Sequence, residues 1–223
     1  MDVSQFHVDR REVLRYLGYR GGEVPEDVRR QIRECEALLL GTAHPRMLWK
    51  AFDLLPDGSL AGCTFRPEGE SVRTLLKDCT KVILMAATMG TETEKLLQRT
   101  QQRDMAQAAI LDAAASAAVE AVCETLCEEL QRQFSPAFLT DRFSPGYGDF
   151  PLSQQAEMCA VLDVTRRIGI YLSESGMMIP QKSVTAMIGV SDRPQEKRSR
   201  GCAVCPSAGN CQFCKEGTTC GDF

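Results

Sequence analysis

The run KVILMAATMGTETEKLLQRTQQRDMAQAAILDAAASAAVEAVCETLCEELQRQ, residues 81–133, decides how the fold is read. Residues 81–87 form a short, almost continuous apolar stretch bounded by Met89-Gly90, which suits a buried strand better than a helix. From 91 to 133 the pattern turns strongly helical and is interrupted only around 102–104, so two helices are expected, the second much longer. Its alanine-rich part, residues 106–121, combines the best helix former with the smallest side chain. Such a helix can lie close to its neighbours, and it is expected to be the central helix of the domain.

Reading outward toward the N-terminus, residues 11–17 predict a short helix ended by Gly18 and the Gly21-Gly22 pair, and Pro25 opens a second one. Val28, Ile32, Cys35, Leu38 and Leu39 recur there at helical spacing and mark a buried face. Residues 49–55 and 60–65 flank Pro56-Asp57-Gly58 and read as a hairpin. A short helix is expected over 71–76.

Toward the C-terminus, Pro136 stops the long helix and residues 142–151 form a Gly/Pro-rich loop. Ser153 is expected to cap a helix running to about Arg167, with Met158, Val161, Leu162 and Thr165 inward. A short apolar piece, 177–179, and a turn at Pro180 precede a strand over 183–190. Residues 192–200 are polar, net basic and aperiodic, a linker to a cysteine-rich tail. The expected fold is α+β: a twisted, mostly antiparallel sheet flanked by helices, with one domain over 1–191 and a small Cys-rich appendage over 192–223.

Composition is that of a globular chain, 43% hydrophobic, 25% charged and 6% aromatic over 223 residues. A net charge of −4, from 26 basic and 30 acidic residues, provides no broad cationic surface, so nucleic acid is not an expected partner. The first eleven residues lack the apolar core of a secretory signal, and the longest apolar run, 82–87, is far shorter than the roughly 20 residues that span a bilayer. A soluble, cytoplasmic protein with no membrane partner is expected. Of the eleven cysteines, six are scattered through apolar or helical contexts, where free cysteine acts as a small hydrophobe, and five crowd the last 22 residues.

The loop Arg142-Phe143-Ser144-Pro145-Gly146-Tyr147-Gly148-Asp149-Phe150-Pro151 is dense in residues with special backbone behaviour. Pro145 fixes φ, whereas Gly146 and Gly148 open conformations closed to other residues. Arg142 adds a planar fork suited to a carboxylate, and Tyr147 a flat apolar face with a polar tip. Together they suit an amino acid linked to an aromatic ring; on local chemistry alone a tight structural turn beside a surface arginine explains the stretch as well.

This loop resembles the Arg-x-x-Pro-Gly-Tyr motif of the activation domain of cobalamin-dependent methionine synthases, where it forms the S-adenosylmethionine site. Two further segments agree in order. Leu172-Ser173-Glu174-Ser175 through Met178, Pro180 and Ser183-Val184-Thr185 is similar to that domain's second signature, and Val119-Glu120-Ala121 resembles the upstream helix whose glutamate faces the ligand. The resemblance covers residues 81–190. It implies that Arg142 pairs with the methionyl carboxylate, that main-chain groups at Ser144 and Gly146 contact the adenosyl part with Tyr147 packing nearby, and that Glu120 lies near the positive end of the ligand. The loop departs from the family in carrying Ser144 where alanine is familiar and in continuing through Gly148-Asp149 before its proline.

The same resemblance implies reductive methylation: inactive cob(II)alamin is reduced by one electron and trapped by methyl transfer from S-adenosylmethionine. The cofactors carry the reactivity and the protein positions them, so binding residues and no catalytic ones are expected. The histidines, His7 and His44, do not sit in the Asp-x-His-x-x-Gly motif that ligates cobalt, and there is no room for the barrel modules of a whole synthase. The expected partners are therefore a separate cobalamin-binding methionine synthase, or another corrinoid protein, and an electron donor such as flavodoxin or ferredoxin. A non-enzymatic adaptor with a vestigial loop is the alternative of a different class.

In the tail, Cys202-x-x-Cys205 and Cys211-x-x-Cys214, with Cys220 beyond, are spaced to supply four thiolates to one zinc ion or a small iron–sulfur cluster. A reduced tail with exposed thiols remains the bland alternative. The Cys123 and Cys127 pair, one helical turn apart, reads as core packing.

Overall fold

The computed structural model describes residues 6–19 and 23–195, with Asn210 alone beyond them. The cysteine pairs of the tail lie outside the described residues.

The strand expected at 81–87 is the spine of the domain. It runs as β2, Cys79–Thr88, and every residue from Val82 to Thr88 is buried. On one side it pairs with β1, Arg46–Asp53, and on the other with β6, Ser183–Ser191; β6 in turn pairs with the two-residue β3, Phe138–Leu139. All three pairings are antiparallel, giving the order β1-β2-β6-β3. A strand buried on both faces must be apolar at odd and even positions alike, which is why this run shows no alternation.

The alternate faces of β2 feed two cores. Ile83, Met85 and Ala87, with Ala186, Ile188 and Val190 of β6, meet a layer made of α1 (Arg10–Tyr16), α2 (Glu26–Thr42), α4 (Thr91–Gln101) and α5 (Met105–Gln133). Val82, Leu84, Ala86 and Met187 meet α3 (Glu70–Leu76), α6 (Gln154–Leu162) and α7 (Val164–Ile168). The sheet is thus sandwiched between two helical layers. Each large side chain taken fully out of water in these cores contributes about 1.5–3 kcal/mol before the entropy of ordering is counted.

The expected break at 102–104 occurs where predicted. The carboxylate of Asp104 accepts from the amides of Ala106 and Gln107 and caps α5. In α5 the alanines at 108, 113, 114, 115, 117 and 118 are all buried, so the helix backbone lies close to the sheet and to α2.

Two local expectations are corrected. The Pro56-Asp57-Gly58 turn forms, with one bridge between Leu54 and Leu60, but 60–65 is not a strand. The long partner of β1 is β2, whose apolar run offers more burial than 60–65, where Gly62 takes a φ of 68° and breaks extension. The helix expected from Ser153 to Arg167 is two helices: Asp163, at φ 55°, sits in the left-handed region and separates α6 from α7. That kink turns Thr165 outward and brings Val164 and Ile168 inward, and Ser153 makes no side-chain cap bond. A small second sheet, β4 (Tyr171–Leu172) with β5 (Met178–Ile179), lies between α7 and β6.

Candidate ligand site

The loop that follows β3 is pinned to the edge of β6 before it turns. The Thr140 amide donates to the Gly189 carbonyl at 3.0 Å, and the Gly189 amide donates back to Thr140 Oγ1 at 2.8 Å. Three residues on, Phe143 exchanges both main-chain bonds with Met187, at 2.9 and 2.8 Å. Phe143 points into the lower core and stacks on Phe150, ring centres 5.8 Å apart. Arg142, next to it in sequence, points to the opposite side of the sheet, toward α5.

Beyond Phe143 the chain closes on itself. The Tyr147 amide donates to the Ser144 carbonyl at 3.2 Å, the Gly146 amide to the Phe150 carbonyl at 2.9 Å, and the Phe150 amide to the Tyr147 carbonyl at 3.0 Å. Gly146 and Gly148 hold φ of 91° and 56°, which supplies the positive φ this closure needs. The amide of Gly146 is therefore spent within the loop, so of its main-chain groups the carbonyl is the one left for the contact that the resemblance implies; Ser144 keeps a half-buried side chain and Tyr147 is 67% exposed at the loop tip.

The inserted Gly148-Asp149 has a structural job. Asp149 accepts from the amides of Glu70 and Ser71, at 2.6 and 2.9 Å, and so caps α3 from a distant part of the chain. Hydrogen bonds from Ser71 and from the Glu70 amide hold its carboxyl below the usual aspartate range. Close docking of loop on helix leaves no space at Gly69, where a Cβ would stand 2.9 Å from the Asp149 carbonyl.

On the upper face, Arg142 reaches two carboxylates of α5: Nη2 stands 3.0 Å from Glu120 Oε2 and 2.7 Å from Glu124 Oε1. The arginine side chain is only 18% exposed, whereas the glutamates are 46% and 67% exposed. The cation is thus fixed from below while its partners stand in solvent. Burial opposes the charge on Arg142, the acidic surroundings more than offset it, and its pKa lies above the ordinary arginine value. Beneath it, burial pushes the Cys123 thiol up to about 12 and that of Cys127 to about 11, so both are neutral packing groups.

Arg142 and Glu120, each expected to face a ligand, are paired with one another in the structure, and Glu124 is a second partner of the arginine that sequence reasoning missed. Its signal was present, since it follows Glu120 by four residues and so shares its face of the helix. Asp112 and Ser116 extend the same stripe toward the N-terminus of α5, where Lys182 pairs with both at 2.8 and 2.9 Å. At the other rim, α1 packs on α5 and presents Tyr16, its ring 4.7 Å from the Arg15 guanidinium; burial first, then the Glu120 charge, raises the Tyr16 pKa. Among the described residues no group of three or more His, Cys, Asp or Glu side chains is placed to hold a metal ion, and no helix is long and apolar enough to cross a membrane.

The structure is a three-layer α+β domain in which an arginine, paired with two carboxylates of the long helix, stands beside a glycine-bent loop. The family model described as "Vitamin B12 dependent methionine synthase, activation domain" matches residues 74–196, over half of the chain, and the chain belongs to that family. Among solved structures, the chain is similar to the "MetH Reactivation Domain bound to AdoHcy", with a TM-score of 0.59 and 18% identity, covering 82% of this chain and 74% of that one. At that identity the likeness speaks for the fold. No curated protein matches the chain.

Proposed function

We propose that this domain binds S-adenosylmethionine at the Arg142 loop and serves the reductive reactivation of a cobalamin-dependent methionine synthase carried on a separate polypeptide. The observation that carries the reading is the charge balance of the site. One guanidinium and two carboxylates sum to −1, and S-adenosylmethionine, with a sulfonium, an ammonium and a carboxylate, sums to +1. The methionyl carboxylate pairs with Arg142 and displaces Glu124, whose exposure makes its release into water cheap. Glu120 stays beside the positive groups. Ser144 and Tyr147 line the adenosyl side, with Gly146 keeping the backbone open to close approach.

When bound, S-adenosylmethionine supplies the methyl group that traps reduced cobalamin held by the partner. The domain's own contribution is orientation: Arg142, rigid in a half-buried setting, fixes the amino-acid end so that the sulfonium is presented outward. The decisive experiment mixes this protein, S-adenosylmethionine and a reductant such as reduced flavodoxin with a synthase lacking its own activation module. Return of the methylcobalamin spectrum is expected; no return with a range of corrinoid partners would refute the reading.

The paired cysteines Cys202, Cys205, Cys211 and Cys214 are proposed to hold zinc or an iron–sulfur cluster, on the strength of their spacing. Anaerobic purification with iron, sulfide and zinc analysis tests it. A cluster would suit electron delivery, whereas one zinc per chain would leave a structural knuckle, and metal-free protein would refute the site.

A further inference from the structure

On the edge of β6 next to the Arg142 loop, the main-chain amides of Ser183, Met187 and Gly189 all have partners, whereas among the described residues Thr185 has none. Since Phe143 exchanges both main-chain bonds with Met187, the two-residue period of an antiparallel ladder turns the N–H and C=O of Thr185 toward the same edge. Ser183, on one side, donates through its amide to the Gln181 carbonyl and through its hydroxyl to the Pro180 carbonyl, and that hydroxyl also meets the Thr88 hydroxyl. Gly189, two residues past Met187, is held by Thr140.

The ladder that starts at Phe143–Met187 would place Pro145 opposite Thr185, and Pro145 has no N–H to give. The next amide, that of Gly146, is turned to Phe150. Thus, among the described residues, the proline and glycine of the loop motif leave the Thr185 edge without a main-chain hydrogen bond from the loop. The side chain repeats the pattern: Thr185 is 1% exposed, and its Oγ1 has no partner among the described residues. A buried donor–acceptor pair and a buried hydroxyl, all at one residue, call for a partner supplied from elsewhere.

Resting on the reading of the loop as an S-adenosylmethionine site, we infer that Thr185 is a further ligand-binding residue, against which the adenosyl group seats when the Ser144–Gly146 turn yields. The amino-purine edge of adenine carries one donor beside one acceptor and so matches the N–H and C=O that an extended residue presents on one side. Oγ1 takes a further polar atom of the same group. Arg142 grips one end of the ligand from α5's side of the sheet, and Thr185 reads the other along the strand edge.

The test is calorimetry with S-adenosylhomocysteine and S-inosylhomocysteine on wild type, Thr185→Val and Arg142→Ala, together with the Tm of each ligand-free protein. Valine keeps the shape of threonine and removes the unpartnered hydroxyl, so the ligand-free variant should melt at or above the wild-type temperature while binding S-adenosylhomocysteine roughly tenfold more weakly. Unchanged affinity in Thr185→Val overturns the inference and leaves the parent reading intact. Should the variant melt lower, the wild-type preference decides: at least tenfold weaker binding of the inosyl ligand, whose donor has become an acceptor, supports the edge, and equal affinity overturns it. Wild type that binds neither ligand defeats the parent reading and this inference together.

Discussion

Arg142 and Glu120 stand 3.0 Å apart although one lies on a loop beyond β3 and the other at the middle of α5, on opposite sides of a helix end and a turn. The sheet edge makes the meeting possible, because the Phe143–Met187 pair sets the direction of the residue before it.

Arg142→Ala removes a charge-assisted contact to the ligand carboxylate. Affinity for S-adenosylmethionine is expected to fall by about 10- to 100-fold, the range of one hydrogen bond to a charged group. Calorimetry measures it, and equal binding by variant and wild type would place the ligand elsewhere.

The two glutamates give the site its negative balance, so wild type should hold S-adenosylmethionine more tightly than the uncharged thioether S-adenosylhomocysteine. Glu124→Gln should narrow that preference, and added salt should narrow it further in wild type, because both partners of the arginine are solvent-exposed. Equal affinities for the two ligands at low salt would contradict the proposed orientation.

Asp149→Ala should lower the melting temperature by uncapping α3 and loosening the loop. The Asp149 carboxyl has a depressed pKa in the folded chain, so its stabilising share is full above the unfolded value of about 3.9 and is lost as pH falls through the lower folded value. The gap in Tm between wild type and variant should therefore be constant near neutrality and close in acid. A gap that persists undiminished below pH 3 would show that the ionised cap is not its source.

At Gly189, in the second central strand, an added Cβ would stand 2.5 Å from Cys79 Sγ, 3.0 Å from Thr140 Cγ2 and 3.1 Å from Leu76 Cδ2. Gly189→Ala is expected to cost about 1–3 kcal/mol, as overpacked cores do, and to displace Thr140 from the strand edge. Urea unfolding gives the first figure, and weaker S-adenosylmethionine binding reports the second; a variant as stable as wild type would mean that the three neighbours shift freely.

Much of the architecture was legible because burial on both faces and helical spacing leave separate marks: β2, the helix pair split at Asp104 and the final strand all fall where the residues place them. The missed items depend on choices between distant partners. Residues 60–65 have strand-like chemistry, but β1 gains more by pairing with β2. Nothing local announces that Asp163 adopts a left-handed conformation, since aspartate does so only where the tertiary packing of the helices on both sides demands it. In the site, the resemblance located Arg142 and Glu120, and helical spacing alone could have added Glu124. That the loop amides bond to one another, or that Asp149 caps a helix seventy-nine residues away, follows from the folded path and leaves no mark in the local sequence.

The pairing of β2, complete by residue 88, with β6, which begins at residue 183, dictates an order of events during synthesis. Until the last strand leaves the ribosome, the spine has a bare flank and the long alanine helix has only part of its floor. Closure of so distant a loop comes late and is slow relative to helical bundles of the same size. A nascent chain halted before residue 183 should consequently be a sticky client of chaperones, and release of the final strand the moment at which the domain becomes cooperative.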